Sequence, residues 1–100
     1  MNSTAFMSES TLISRPVKLN LTQGLHIRAC SRVVALVGGF NGQVRIRYGQ
    51  RSADANSMFD LMQLAALPGS DLILEGQGDG AESVLDALEL FFSKTSESAD

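Results

Sequence analysis

The sequence predicts an α+β fold, in which a four-stranded antiparallel sheet is covered on one face by three helices. The first observation is that short segments alternate apolar and polar residues with period two, as strands do. The second is that the segments between them repeat apolar residues every three or four positions, as amphipathic helices do. The third is that glycine-containing turns separate these segments and give the order β-α-β-β-α-β-α.

The first strand and the first helix are predicted on either side of Gly24. Val17, Leu19 and Leu21 alternate with polar residues, which predicts a strand with one wet face. After Gly24 the apolar period changes to that of a helix, which the pair Gly38-Gly39 ends. The apolar face of this helix consists of Cys30, Val33, Val34 and Val37.

A hairpin and a short helix are predicted next. Val44, Ile46 and Tyr48 alternate along a second strand, and the Gly49-Gln50 turn predicts an antiparallel return over residues 51–55. Asn56 is expected to cap the short helix, which ends before Pro68-Gly69. The shared apolar face of the short helix is predicted to be Met58, Leu61, Met62 and Ala65.

The last strand and helix complete the predicted fold. Residues 71–75 form an apolar strand, and an amphipathic helix follows. Asp79 and Glu82, three positions apart, are expected to cap that helix. Its acidic face, with Glu82, Asp86 and Glu89, is expected to be solvated.

The chain is expected to form one domain with short ends. Its 100 residues, of which 44% are hydrophobic, suffice for one core. We expect residues 1–14 to be a flexible leader, 15–93 the folded domain, and 94–100 a flexible tail. The leader is rich in Ser and Thr and lacks a clear period, and the tail contains Ser, Glu and Asp.

Composition and charge exclude several classes of protein. The net charge of −3 argues against binding nucleic acid through a general positive field. A single cysteine forms no internal disulfide, and no Cys/His cluster has metal-ligand spacing, so we expect no metal and no cofactor. No apolar run approaches the roughly 20 residues that span a bilayer, and the N-terminus lacks the features of a signal peptide. We therefore expect a cytoplasmic protein without direct membrane insertion.

The chain's one histidine, His26, falls where the first predicted helix begins, two residues before Arg28. The first amides of a helix lack partners inside it and favour an anion, so a phosphoryl group on His26 would meet amides and a guanidinium. Imidazole is also a nucleophile at neutral pH. From residue types alone, a surface or half-buried histidine without chemistry is the more common case, and both interpretations remain open.

Another class of function is also open on composition alone. The predicted hairpin carries Arg45, Arg47 and Arg51, which could form a basic face for an anion or an RNA without any phosphorylation. Tyr48 has the opposite parity to Arg45 and Arg47 along the strand, so base stacking beside them is poorly supported.

The stretch GLHIRA resembles the active-site loop of the HPr family, the histidine-containing phosphocarriers of the bacterial phosphoenolpyruvate:sugar phosphotransferase system. The family pattern is Gly-Leu-His-x-Arg-Pro-Ala. The segments GGF, NSMFDLMQLAAL and GDGAESVLDAL extend the resemblance over residues 17–92, and the element order also matches. The resemblance therefore implies the open-faced sandwich fold of that family and a carrier function without enzymatic turnover.

The resemblance also implies a role for particular residues. His26 would accept a phosphoryl group on Nδ1 from phosphorylated enzyme I and pass it to an enzyme IIA, and Arg28 would stabilise the phosphate. Ser57 would be the site of an ATP-dependent HPr kinase/phosphorylase. Partners would dock on a monomer, on the surface shared by the helix that begins at His26 and the short helix that follows Ser57. The docking residues would be Arg32, Met58, Phe59 and Met62.

The sequence departs from the family pattern at residue 29, and it leaves one alternative function within the family open. Ala29 replaces the proline of the family pattern, so the loop loses a residue that would preset its backbone. The sequence also leaves open a nitrogen-type regulatory paralogue, in which the same histidine chemistry reports metabolic state instead of driving sugar uptake.

Overall fold

The computed structural model describes residues 12–95. Its elements follow the predicted order and are β1 (Leu12–Lys18), α1 (Ile27–Val37), β2 (Gln43–Tyr48), β3 (Arg51–Asp54), α2 (Met58–Leu64), β4 (Asp71–Gln77) and α3 (Ala81–Ser93). The sheet is open, with strand order β1-β4-β2-β3, and each pair of neighbouring strands is antiparallel. The predicted α+β architecture is confirmed.

The core lies between the sheet and the three helices. Leu72 and Leu74 of the inner strand β4 are fully buried and lie in register with Val17 of β1 and Ile46 of β2. The helices supply the other side of this core with buried residues that include Val33, Leu61, Leu85, Leu88 and Phe92. A single apolar layer thus holds every element in place, as expected for a domain of this size.

The strand β1 begins and ends earlier than predicted. It starts at Leu12, so residues 12–14, predicted as leader, belong to the sheet, whereas Leu19 and Leu21 lie beyond its last residue. Both leucines are nonetheless buried, because the chain continues into the core after the strand pairing stops. Residues 1–11 and 96–100, the remainder of the predicted leader and most of the predicted tail, lie outside the described residues.

Two predicted helix caps are wrong by one residue. Ser57, not Asn56, caps α2, and its Oγ accepts a hydrogen bond from Asp60 N at 3.1 Å. Asn56 N donates instead to Asp54 Oδ1 at 2.9 Å, which places Asn56 in the turn before the cap.

The start of α3 differs in the same way. Gly80 is its N-cap, with φ 85°, and no side chain caps the helix, so Asp79 and Glu82 do not form the predicted cap. Glycine adopts a φ in the left-handed region without strain. The turn before α3 therefore depends on the backbone of Gly80, and not on a carboxylate that caps the helix as predicted.

The acidic face of α3 was predicted to be only solvated. In the structure, Arg15 of β1 binds it. The Arg15 guanidinium donates to Asp86 and lies 3.3 Å from Glu89 Oε1. The hydrogen bond to Asp86 raises the pKa of Arg15, so the guanidinium stays charged. This charge cluster joins the edge strand to the last helix.

Candidate functional site

The loop that carries His26 rests on the segment that follows α2. Leu25 N donates to Ala66 O at 3.0 Å. Gly24 has φ 71°, and a Cβ atom there would lie 2.5 Å from the same carbonyl oxygen, so only glycine fits. These contacts fix the loop immediately before the first residue of α1.

His26 is the N-cap of α1, and its imidazole faces the helix amides. Its backbone is extended (φ −89°, ψ −178°), and its Nδ1 accepts a hydrogen bond from Arg28 N at 3.3 Å. An acceptor nitrogen carries a lone pair, so this contact corresponds to the tautomer with its proton on Nε2. Nδ1 therefore carries the lone pair, and it lies at the positive end of the helix.

The electrostatics around His26 favour an anion. The helix hydrogen-bond ladder begins with Cys30 N donating to His26 O at 2.9 Å, so the amides of residues 27–29 have no acceptor within the helix. The first turn of α1 contains no acidic residue, and Arg28 adds an exposed guanidinium. A dianionic group on Nδ1 would gain amide donors, the helix dipole and a cation.

Cys30 and Ala29 lie directly behind this site in the core. Both are fully buried, and burial raises the pKa of the Cys30 thiol to about 11. A buried neutral thiol is a poor nucleophile, so Cys30 acts as packing, as its position on the apolar stripe predicts.

The proposed docking residues divide between the core and the surface. Arg32 is exposed one turn after Arg28, and Phe59 and Met62 are 70% and 46% exposed. Met58 is partly buried against the core. Of these two neighbouring residues, Phe59 is therefore the one that offers its side chain to a partner.

Two further exposed apolar residues near His26 were not predicted from the sequence. Ile27, the first residue of α1, is 61% exposed, and Leu67, in the segment after α2, is 64% exposed. Ile27 lies in phase with Cys30 and Val34, and Leu67 lies three positions after Leu64, so apolar periodicity gave no signal of their exposure. Because α1 contacts α2 and Leu25 bonds to Ala66, both belong to the same end of the molecule as His26.

The three arginines of the alternative anion-binding face do not form one surface. Arg47 Nη1 lies 3.0 Å from Glu75 Oε2, and Arg45 Nε donates to Ser52 Oγ at 3.1 Å. Arg51 Nη1 instead donates to Leu64 O at 2.9 Å, at the end of α2. The hairpin therefore offers no joint basic face for RNA.

Neither a metal centre nor a membrane span is found in residues 12–95. No group of three or more His, Cys, Asp and Glu side chains is placed to hold a metal ion there. None of these helices has both the length and the apolar character needed to cross a bilayer.

An open-faced sandwich with a histidine whose Nδ1 lies at a helix start is the arrangement that the resemblance to the histidine phosphocarriers implied. The family model "PTS HPr component phosphorylation site" matches residues 13–94. The chain belongs to this HPr family, and it is a phosphocarrier of the phosphotransferase system, not an enzyme.

Individual relatives agree with this assignment. Phosphocarrier protein HPr of Cupriavidus necator is 40% identical over 65 residues, which cover 65% of this chain and 73% of that protein. Phosphocarrier protein NPr of Shewanella violacea is 32% identical over 78 residues, which cover 78% and 86%. The crystal structure of HPr from Bacillus anthracis superposes with a TM-score of 0.80 at 25% identity, covering 83% of this chain and 99% of that one.

Proposed function

We propose that His26 accepts a phosphoryl group on Nδ1 from phosphorylated enzyme I, originally from phosphoenolpyruvate, and passes it to an enzyme IIA in the cytoplasm. The observation that carries this proposal is the hydrogen bond from Arg28 N to His26 Nδ1. It identifies the nitrogen that holds the lone pair and orients it toward the amides that would receive the phosphate.

The phosphoryl transfer requires no group other than His26 and the phosphoryl donor. The Nδ1 lone pair attacks phosphorus, the bond from phosphorus to the donor breaks, and the electron pair of that bond leaves with the donor. The proton on Nε2 stays in place. The Arg28 amide then exchanges its contact with Nδ1 for a phosphoryl oxygen, and the Arg28 guanidinium stabilises the added charge. Donation to an enzyme IIA is the reverse sequence with a new acceptor.

Enzyme I and enzyme IIA would dock on the surface around His26. Phe59 and Met62 are exposed apolar side chains on α2, Arg32 extends the surface along α1, and Met58 supports it from its partly buried position. Flexible methionine suits a surface that meets more than one partner. The protein would act as a monomer, since each partner needs the same exposed surface.

Ser57 is the proposed site of regulation by an HPr kinase/phosphorylase. Its side chain is partly exposed and lies at the start of α2, next to Met58 and Phe59. A phosphate there would add roughly 1.5 to 2 negative charges beside the docking surface. Mass spectrometry after incubation with the kinase and ATP tests this assignment, and phosphate on another residue would refute it.

Labelling with radioactive phosphoenolpyruvate and enzyme I tests the main proposal. We expect label that is labile in acid and stable in base, as for a phosphoramidate, and we expect none in His26→Ala. An enzyme I preparation that labels another phosphocarrier but not this chain would refute the carrier role of His26.

A nitrogen-type regulatory role is the second candidate. The similarity to the NPr of Shewanella violacea, over 86% of that protein, favours it. Transfer from the labelled protein to a nitrogen-type enzyme IIA and to a sugar-type enzyme IIA, compared at equal concentrations, decides between the two. Faster transfer to the sugar-type protein would exclude the regulatory role.

A further inference from the structure

The side chain of Arg51 joins the edge strand β3 to the end of α2. Its Nη1 donates to Leu64 O at 2.9 Å in a partly buried contact, and it also donates to Gln63 O at 3.4 Å. Leu64 is the last residue of α2, so its carbonyl oxygen has no donor within the helix. Arg51 therefore supplies a charged donor at the C-terminal end of α2, where a cation is favourable.

The chain leaves α2 through a left-handed turn that begins directly after this contact. Ala65 has φ 51° and ψ 40°, and its N–H donates to Met62 O at 3.3 Å. A left-handed backbone is unfavourable for a residue with a Cβ atom, so the surrounding contacts must hold it in place. The bond from Arg51 to Leu64 O fixes the residue immediately before the turn.

The turn at Ala65 sets the direction of the Ala66 carbonyl, which anchors the loop before His26. Leu25 N donates to Ala66 O at 3.0 Å, and Leu25 is only 4% exposed. A Cβ atom on Gly24 would lie 2.5 Å from the same oxygen, so the two segments are in direct contact. Because Leu25 precedes the N-cap His26, a shift of Ala66 would move the imidazole relative to the first amides of α1.

We propose that Arg51 is a positioning residue for phosphoryl transfer. It holds the end of α2, so that the Ala66 carbonyl keeps Leu25 and therefore Nδ1 of His26 in place. Arg51 acts through this series of contacts, and not through the phosphoryl group itself. The inference rests on the proposed function of His26. It gives a role to an arginine that, from the sequence alone, could belong to an anion-binding face.

Rapid-quench phosphoryl transfer to the full-length chain, from an excess of phosphorylated enzyme I, tests this role. Arg51→Ala should lower the maximal rate constant about five- to tenfold, because it disturbs the position of the acceptor. The half-saturating concentration of enzyme I should change less than about twofold, because the docking surface is retained. Arg51→Lys should restore the rate constant to within about twofold of the wild type, since its ammonium group can donate to one of the two carbonyl oxygens.

Arg45→Ala is the matched control for Arg51→Ala. It removes the same charge from the same hairpin, but Arg45 donates to Ser52 Oγ at 3.1 Å and not to α2. Equal maximal rate constants for both variants and the wild type would overturn the proposal. A raised half-saturating concentration with an unchanged rate constant would also overturn it, because Arg51 would then contact the partner directly.

The bond between Leu25 and Ala66 has its own test, in which one backbone N–H is removed. Synthetic residues 1–29 are ligated to residues 30–100 at Cys30, the chain's one cysteine, with the hydroxy acid analogue of leucine in place of Leu25. The same analogue in place of Leu19 is the matched control, because Leu19 is buried and its N–H donates to Ser70 O at 2.9 Å. We expect the change at Leu25 alone to lower the maximal rate constant. Equal losses at both positions, or no loss at Leu25, would contradict the proposal.

Amide hydrogen exchange distinguishes positioning from a general loss of stability. In Arg51→Ala, the Leu25 amide should exchange about five- to tenfold faster than in the wild type, whereas the Leu19 amide should exchange at an unchanged rate. Equal acceleration at both amides would mean that Arg51 only stabilises the fold, and the proposal would fail. The absence of any labelling of the wild type by active enzyme I would instead refute the function of His26, so the two failures are distinguishable.

Discussion

Replacing Ala65 with glycine should stabilise the protein, although glycine usually destabilises a helical segment. Ala65 is the C-cap of α2 and has φ 51° and ψ 40°, in the left-handed region. Among residues 12–95, it is the one non-glycine residue with positive φ. This turn leads directly to Ala66, whose carbonyl oxygen accepts from Leu25 N beside His26.

The size of the effect follows from two opposing terms. A left-handed backbone costs an L-residue about 1 to 2 kcal/mol, which glycine does not pay. Glycine costs about 0.4 to 1 kcal/mol through the greater freedom of the unfolded chain. The Ala65 side chain is exposed, so little packing is lost. The free energy of unfolding should rise by about 0.5 to 1 kcal/mol, which corresponds to a Tm higher by roughly 2 to 8 °C.

Thermal and urea unfolding measure this change, and Ala35→Gly is the matched control. Ala35 is exposed within α1 and has an ordinary helical position, so the same substitution should lower the free energy of unfolding by about 0.5 to 1 kcal/mol. Opposite signs at the two sites are expected. A decrease of similar size for Ala65→Gly would refute the reasoning about backbone strain at this turn.

Three further predictions concern Arg28, Ser57 and Cys30. Arg28→Ala should slow phosphorylation by enzyme I at least about tenfold yet change the free energy of unfolding by less than about 0.5 kcal/mol, because Arg28 is exposed; comparable damage to folding would contradict its role. Ser57→Ala should lower the free energy of unfolding by about 1 kcal/mol in urea titrations through loss of the cap, and an unchanged midpoint would contradict the cap. Between pH 9 and 11 the wild type should lose about 2 kcal/mol relative to Cys30→Ala, because the unfolded thiol ionises near its ordinary pKa of 9 whereas buried Cys30 keeps its proton until about pH 11. Parallel pH profiles of the two proteins would contradict this.

The sequence predicted the elements that local patterns determine. The apolar stripe of α1 places Cys30, Val33 and Val37 in the core, and the Gly49-Gln50 turn correctly joins β2 and β3. These features depend on residues a few positions apart, so periodicity and turn chemistry suffice to find them.

The end of β1 depended on distant residues instead. Alternation alone carried the predicted strand to Leu21, but pairing stops at Lys18, opposite Asp71 of β4. Leu19 then bonds to the turn before β4, with its N–H donating to Ser70 O at 2.9 Å. A period of two marks an extended, half-buried chain, and it does not distinguish a paired strand from a loop packed on the core.

The chemistry of the candidate site could be predicted from the sequence, but the long-range contacts that position its loop could not. The position of His26 beside Arg28 at a helix start predicted an anion site, and the structure places Nδ1 at the amides. The anchor of that loop on Ala66 joins residues about forty positions apart, and the sequence has no local signal for it. The same holds for Arg15 and Asp86, which lie 71 positions apart.

NMR of the imidazole nitrogens tests the central claim most directly. The protein, labelled with ¹⁵N at histidine, is phosphorylated with enzyme I and phosphoenolpyruvate, and the nitrogen coupled to phosphorus is identified. Because Nδ1 carries the lone pair and faces the Arg28 amide, we expect coupling at Nδ1 of His26 and a proton retained on Nε2. Coupling at Nε2, or no phosphohistidine in the presence of active enzyme I, would contradict the account.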